Sequence, residues 1–402
     1  MMRRMSYAVM CAGVVLTAAL LSAQTPAQTS MPAPVAAPAS ASQRALPERL
    51  TDAEFWSLRD ELSEPPGEFR SENLVSNETM YQWPIPELVK TVTPGSVYMG
   101  VAPDQNFTYL AALKPKMAFI VDIRRGNVLQ HLLYKALFEL SKDRADFTSL
   151  LFSVPKPAGL TSTSSARELF DAIYLQKKEA RLFEANTRTV LDLLMNKHGF
   201  KLDARDVEGL TWIYNCFYTF GPDLTYQACE TATQRGGFGG GFGGRGGFGG
   251  GFRSFADMQL QTDAFGVNHA YLANDANFKW MQEFEAKNLL VPVTGDFMGP
   301  KAIRAVGEYV RARGATVGTF YTSNVEQYLH QTAIWGNFYA NVATLPFDNG
   351  SLFIRSVPSN NIRPAQEGAR AASMLCSMKD LVAAFKAGQI KNYYDVINLS
   401  HQ

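Results

Sequence analysis

Short, nearly continuous apolar runs punctuated by Gly and Pro recur along this chain, separated by amphipathic stretches at helical spacing. The densest case is SVYMGVAPDQNFTYLAALKPKMAFIVDIRR, residues 96–125. Its first run, 97–101, contains Gly100 and stops before Pro103. Residues 105–113 then carry Phe107, Leu110, Ala111 and Leu113 at helical spacing, and a second run, 117–121, ends on Asp122. Runs this short predict buried parallel strands joined by one helix, a βαβ unit. The alternation resumes later, with strands expected over 255–260, 289–294, 315–321 and 351–356. Helices are expected over 275–287, with Phe278, Met281 and Phe284 inward, over 300–313, and over 325–335.

Three segments break this rhythm. Thr51-Asp52-Ala53-Glu54 has the form of a helix cap, followed by Phe55, Leu58 and Leu62 on one face. The connection 69–82 is polar, with Glu72, Asn73, Asn77 and Glu78 as residues to watch and an ordinary loop as the simpler reading. Residues 127–230 read as a helical insertion; the aromatics Trp212, Tyr214, Phe217, Tyr218 and Phe220 predict core packing there, not a ligand cage. In 236–252, twelve of seventeen residues are Gly, interrupted by Phe and one Arg. So much Gly predicts a flexible, disordered surface loop. The segment lacks the Lys-Ser/Thr of a phosphate-binding loop. The domain then spans 46–357, an α/β fold with a mostly parallel sheet, and 358–402 is a loosely patterned C-terminal tail with one helix over 378–386.

Charge and the N-terminus narrow the function classes. Thirty-eight basic residues nearly cancel 37 acidic ones, so no global field favours nucleic acid or an anionic membrane surface. Residues 1–23 have a basic tip, an apolar stretch and small residues at a cleavage point, the pattern of a secretory signal peptide. A Pro/Ala/Ser-rich disordered linker follows over 24–45. The expectation is an exported protein, periplasmic or extracellular, with no membrane span after signal removal. Cys216 and Cys229 either pair across a short loop, as export permits, or sit as buried free thiols.

Candidate chemistry lies at strand ends, because ligands of doubly wound folds sit outside the carboxyl ends of the strands. Gly100, Gln105 and Asn106 follow the first strand; Asp122 and Arg124 end the second. Asp263, Asp296, Asn324 and Glu326 follow later elements as substrate-side candidates, each with a solvated loop residue or helix cap as the plainer reading. No Gly-x-Ser-x-Gly elbow, Walker loop or His-Glu-x-x-His is present, and the five histidines have no metal-ligand spacing, so no metal is expected.

The strings GVAPDQNFTYLAALKP, FIVDIRRGN, HLLYKALFELSKDRADF, PVTGDFMGPKAIRAVGEYV and FYTSNVEQYL resemble an uncharacterised family of bacterial proteins. More distantly, the order of elements resembles the Rossmann-like class of S-adenosylmethionine-dependent methyltransferases. That resemblance implies a Gly-rich loop against the methionine part, where Gly100 falls, and an acidic residue on the ribose, where Asp122 falls. VAPDQN stands where the class has a run of glycines. Two functions follow: a methyltransferase-like enzyme binding S-adenosylmethionine, or a non-catalytic extracytoplasmic protein that keeps the fold and binds a small molecule.

Overall fold

The computed structural model describes residues 45–229, 253–366 and 369–402. The expected signal peptide, nearly all of the linker and the Gly/Phe-rich loop 236–252 lie outside them. Five strands fall where the apolar runs predict: β1 (Val97–Gly100), β2 (Ala118–Asp122), β3 (Leu290–Thr294), β4 (Val317–Ser323) and β5 (Leu352–Pro358), the last of them expected over 351–356. β6 (Ala371–Ser377) completes a six-stranded sheet of order β3-β2-β1-β4-β5-β6. Every pair is parallel except β5–β6. β1, β2 and β3 are buried along their whole lengths, as strands covered on both faces must be. Pro292 pairs with Ile120 inside β3 and is tolerated because β3 is an edge strand. The fold is Rossmann-like, with its change of strand order between β1 and β4.

The helices begin with α1 (Asp52–Leu62), whose expected cap is present: Thr51 and Glu54 form a capping box. α2 (Ile85–Thr91) precedes β1, α3 (Gln105–Leu113) links β1 to β2, and α4 (Arg125–Leu140) leaves β2. The stretch expected as a helical insertion, 127–230, holds nearly all of α4 and then α5 (Arg144–Phe152), α6 (Ala166–Tyr174), α7 (Ala180–Asp192) and α8 (Ala204–Phe220). On α8, Tyr214 and Phe217 are fully buried, and Phe217 packs edge-on against Tyr134 of α4, so these two are core; Trp212, Tyr218 and Phe220 are half-buried, and Trp212 lines an opening described below. After it come α9 (Phe255–Gln259), α10 (Asp275–Ala286), α11 (Ala302–Arg311), α12 (Val325–Leu329) and α13 (Gly336–Val342), then α14 (Met378–Lys386) and α15 (Tyr393–Asn398).

Two expectations need correction. Residues 255–260 are not a strand. Ser254 and Asp257 form a capping box that starts α9 and buries Phe255, so local cap chemistry overrides the apolar run. The stretch after Pro358 is more than a loose tail, because β6 pairs with β5 over seven register positions. Its strand identity comes from that partner and not from its own pattern, Ala-Ala-Ser-Met-Leu-Cys-Ser.

Cys216 and Cys229 are joined in a disulfide, thirteen residues apart, while Cys376 is a buried free thiol. Replacing both paired cysteines with serine should lower the unfolding free energy by about 3 kcal/mol, the value for closing a loop of this length. A urea melt reads it as a lower midpoint. An unchanged midpoint would mean that the bond constrains nothing the rest of the fold does not already hold.

Candidate functional site

The crevice between β1 and β4 is where a doubly wound fold normally takes its ligand. Here the protein's own side chains fill it. Asn106, fully buried, donates through Nδ2 to the carbonyls of Val101 (2.8 Å) and Pro103 (2.7 Å), and its Oδ1 accepts from the Tyr98 hydroxyl (2.8 Å). A Cβ on Gly100 would lie 2.0 Å from that Oδ1, so the glycine makes room for an internal amide. Gln105 points the other way and donates to Glu78 Oε2 at 2.9 Å. Glu78 comes from the polar connection before α2 and is buried. Its Oε1 accepts from the hydroxyls of Tyr321 (2.8 Å) and Ser323 at the end of β4. One carboxyl thus stitches the start of α3 to β4. Burial raises its pKa, against the opposing pull of donors from Gln105, Ser323 and Tyr321.

Asp104, the residue before α3, is buried beside Gln259 and Tyr271, each donating to Oδ2 at 3.1 Å. Burial pushes its pKa up to about 7. His131 on α4 donates from Nε2 to the Ala102 carbonyl (3.0 Å), and burial takes its pKa down to about 4.

At the end of β2, Asp122 and Arg124 are brought together, but as partners. Arg124 donates from Nε to Oδ1 (2.9 Å) and from Nη2 to Oδ2 (2.7 Å), and its backbone N–H adds a third bond to Oδ1 (2.9 Å). Nη1 reaches the carbonyls of Ser71 (3.1 Å) and Glu72. The ribose-gripping position implied by the methyltransferase resemblance is engaged by a guanidinium two residues along the chain.

The substrate-side candidates do not converge on one opening. Asp263 organises its own turn, accepting from the N–H of Phe265 and of Val267 (both 2.9 Å) and pairing with His269 (2.7 Å). Asp296 accepts from the Met298 N–H at 2.9 Å. The cap of α11 comes instead from Glu64, which accepts from the N–H of Lys301 (2.6 Å) and Ala302 (2.8 Å). Asn324 is half-buried at the start of α12. Glu326 is a structural ion: it pairs with Arg355 of β5, with side-chain exposures of 1 % and 0 %, and also accepts from Tyr339 (3.0 Å) and Thr322 (3.2 Å). Among the described residues, no three His, Cys, Asp or Glu side chains are grouped to hold a metal ion. No helix among them is long and apolar enough to cross a membrane.

An opening does exist one step along the sheet. A groove of about 760 Å³ lies at the carboxyl ends of β2 and β3, walled by the end of α1, the start of α4 and the start of α8. Arg59, Arg125, Lys201 and Arg205 line it, together with Thr294, the last residue of β3. The chain after α1 reaches this edge through two backbone bonds, Glu64 N–H to Thr294 O (2.8 Å) and Gly67 N–H to Ile123 O (2.9 Å). Arg125 holds Asp206 of α8 in a two-pronged pair at 2.9 and 2.8 Å, which fixes the distance between the two walls.

Sequence patterning reaches part of this. Arg59 lies i+4 from Phe55 and three residues before Leu62, so a cation on the apolar stripe of α1 is its signal. Glu78 lies in the polar connection that the sequence singles out, but its role there depends on Tyr321, far along the chain; nothing local marks Glu64, whose partners are more than two hundred residues away.

No curated protein matches this chain. The family model described as a domain of unknown function (DUF7790) matches residues 74–198 and 254–400, well over half of the sequence. Those segments contain every strand of the sheet, with the helical insertion after α7 falling between them. The chain belongs to the DUF7790 family.

Proposed function

We propose that this protein is an exported, non-catalytic binding protein, a Rossmann-like scaffold whose recognition site is the groove at the ends of β2 and β3. The observation that carries this reading is the pair Asn106 and Glu78. Together they occupy the β1–β4 crevice with hydrogen bonds internal to the chain, while the 760 Å³ groove beside it stays open. A volume of that size suits a small molecule. Export is supported by the signal-like N-terminal sequence and by the Cys216–Cys229 disulfide, a bond that persists in oxidising compartments.

The rival reading is a methyltransferase-like enzyme with S-adenosylmethionine on Gly100, Asn106 and Asp122. It requires the cofactor to displace Asn106 from three hydrogen-bond partners and to compete with Arg124 for Asp122. Leaving buried polar groups unpaired costs about 1–3 kcal/mol each. Calorimetric titration of the folded protein with S-adenosylmethionine and S-adenosylhomocysteine separates the two. No heat with either compound is expected. Saturable binding that weakens in Asp122→Asn would establish the enzyme reading instead.

A further inference from the structure

We propose that the groove contains an anion subsite in which Arg59 receives a carboxylate or phosphate group of the ligand; this rests on the groove being the recognition site. Arg59 sits in the last turn of α1 and is only 5 % exposed. Its guanidinium carbon lies 4.1 Å from the centre of the Trp56 ring, and Nη2 meets Asp60. Nε and Nη1 are buried and have no hydrogen-bond partner. A guanidinium keeps its charge at any accessible pH, so two unpartnered nitrogens, with three N–H donors between them, are costly in a low-dielectric wall unless something fills them.

The neighbouring acids do not supply that something. Asp60 is more than half exposed, and an ion pair of that kind contributes little. Asp206, the other carboxylate near Arg59, is committed to Arg125. Glu64 is committed to three backbone N–H groups, those of Asp296, Lys301 and Ala302. The start of α4 is not free either: a Cβ on Gly126 would stand 2.8 Å from Glu72 Oε2, so that helix end has a carboxylate of its own.

A second orphan lines the same groove. Thr294 Oγ1, at the end of β3, is buried without a partner and can donate to an anion. At the rim, Lys201 and Arg205 are exposed and enter no ion pair among the described residues. Free cations there raise the local concentration of an approaching anion. Of the acids lining the groove, Glu64 and Asp206 are engaged within the protein, Asp203 accepts from the Asp206 N–H at 2.9 Å, and Asp60 meets only Nη2, whereas Nε and Nη1 of the buried guanidinium meet no hydrogen-bond partner.

The test uses the full chain, inorganic phosphate and citrate as probes, and chloride to hold ionic strength constant. Thermal unfolding and calorimetry are read for the wild type, Arg59→Met, Arg59→Lys and Thr294→Val. At least one probe should raise the wild-type Tm saturably, and which one does so tells a phosphate group from a carboxylate. Arg59→Met should weaken that binding at least tenfold, and Thr294→Val severalfold. If Arg59→Met fails to fold, Arg59→Lys keeps the stem and charge but loses the planar donor set, and should itself weaken binding severalfold. No shift with either anion, or equal binding by the wild type and the folded Arg59 variants, overturns the subsite. If both anions fail while adenosine binds and protects the groove from hydrogen exchange, the subsite falls and the groove reading stands. Binding of S-adenosylmethionine through Asp122 would bring down the groove reading instead.

Discussion

Replacing Glu326 with alanine should lower the unfolding free energy by about 3–5 kcal/mol, the cost of stranding one member of a buried ion pair. Arg355 is fully buried in β5, and its guanidinium donates to both oxygens of Glu326. Among the described residues Arg355 has no second ion pair: its other contacts are the Phe353 ring, 4.6 Å away, and Ser400 Oγ at a marginal 3.5 Å. The loss would spread, since Glu326 also accepts from Tyr339 and Thr322, joining α12 and α13 to the second half of the sheet. The cause is the uncompensated charge, and the double variant Glu326→Leu/Arg355→Met tests that. It removes both charges and should recover most of the lost stability, because replacing a buried pair with apolar residues of similar volume is often neutral. Urea unfolding of the three proteins decides it. A single variant within about 1 kcal/mol of the wild type would mean that the pair is not structural, and would revive Glu326 as a candidate for ligand binding.

The second large effect is one of pH. Burial raises the pKa of Asp104 from 3.8 to about 7. The native state therefore holds a proton that the unfolded state has released over that interval, and stability falls as pH rises through it. The slope is about 1.4 kcal/mol per pH unit, so the group costs the fold on the order of 4 kcal/mol above pH 7 relative to pH 4. The wild-type curve alone does not isolate this. Glu285, also raised to about 7 by burial, adds a slope of the same sign, whereas His131, lowered to about 4, adds one of opposite sign below its ordinary value. Asp104→Asn does isolate it. The variant keeps an oxygen to accept from Tyr271 and Gln259, so its advantage over the wild type should grow from pH 4 to pH 7 and then level off. A difference that stays flat across that range would show that Asp104 is ionised in the fold.

How much of this was legible in the sequence depends on how local each cause is. β1 to β4 are bounded by Gly, Pro and polar residues next to them in the chain, and they lie where the apolar runs end. The Thr51 cap and the inward faces of α4 and α10 are equally local. β6 is not, because its seven pairings are all with β5 across an intervening loop. α9 departs from the expected strand for the opposite reason: a four-residue capping signal outweighs the apolar run that follows it.

The site divides in the same way. Gly100, Gln105, Asn106, Asp122 and Arg124 end or follow β1 and β2 as their positions implied, yet the side chains of the last four are spent on partners within the protein. Asn106 closes its own loop and Arg124 closes on Asp122. Direction of a side chain depends on what packs above it, and here that is Glu78, 27 residues from Gln105 and 245 from Ser323. Arg59 and Asp206 meet near Arg125 only because α1 and α8 lean over the same edge of the sheet. No window of sequence contains that juxtaposition.

Hydrogen–deuterium exchange with and without ligand tests most directly where recognition occurs. The folded chain is compared alone, with citrate, with inorganic phosphate and with S-adenosylmethionine, reading peptides over 56–67, 100–106, 123–129 and 201–209. Protection by one of the anions over 56–67, 123–129 and 201–209, with 100–106 unchanged throughout, is the expected result. Protection of 100–106 by S-adenosylmethionine would contradict it, and would place the ligand in the crevice that Asn106 and Glu78 fill.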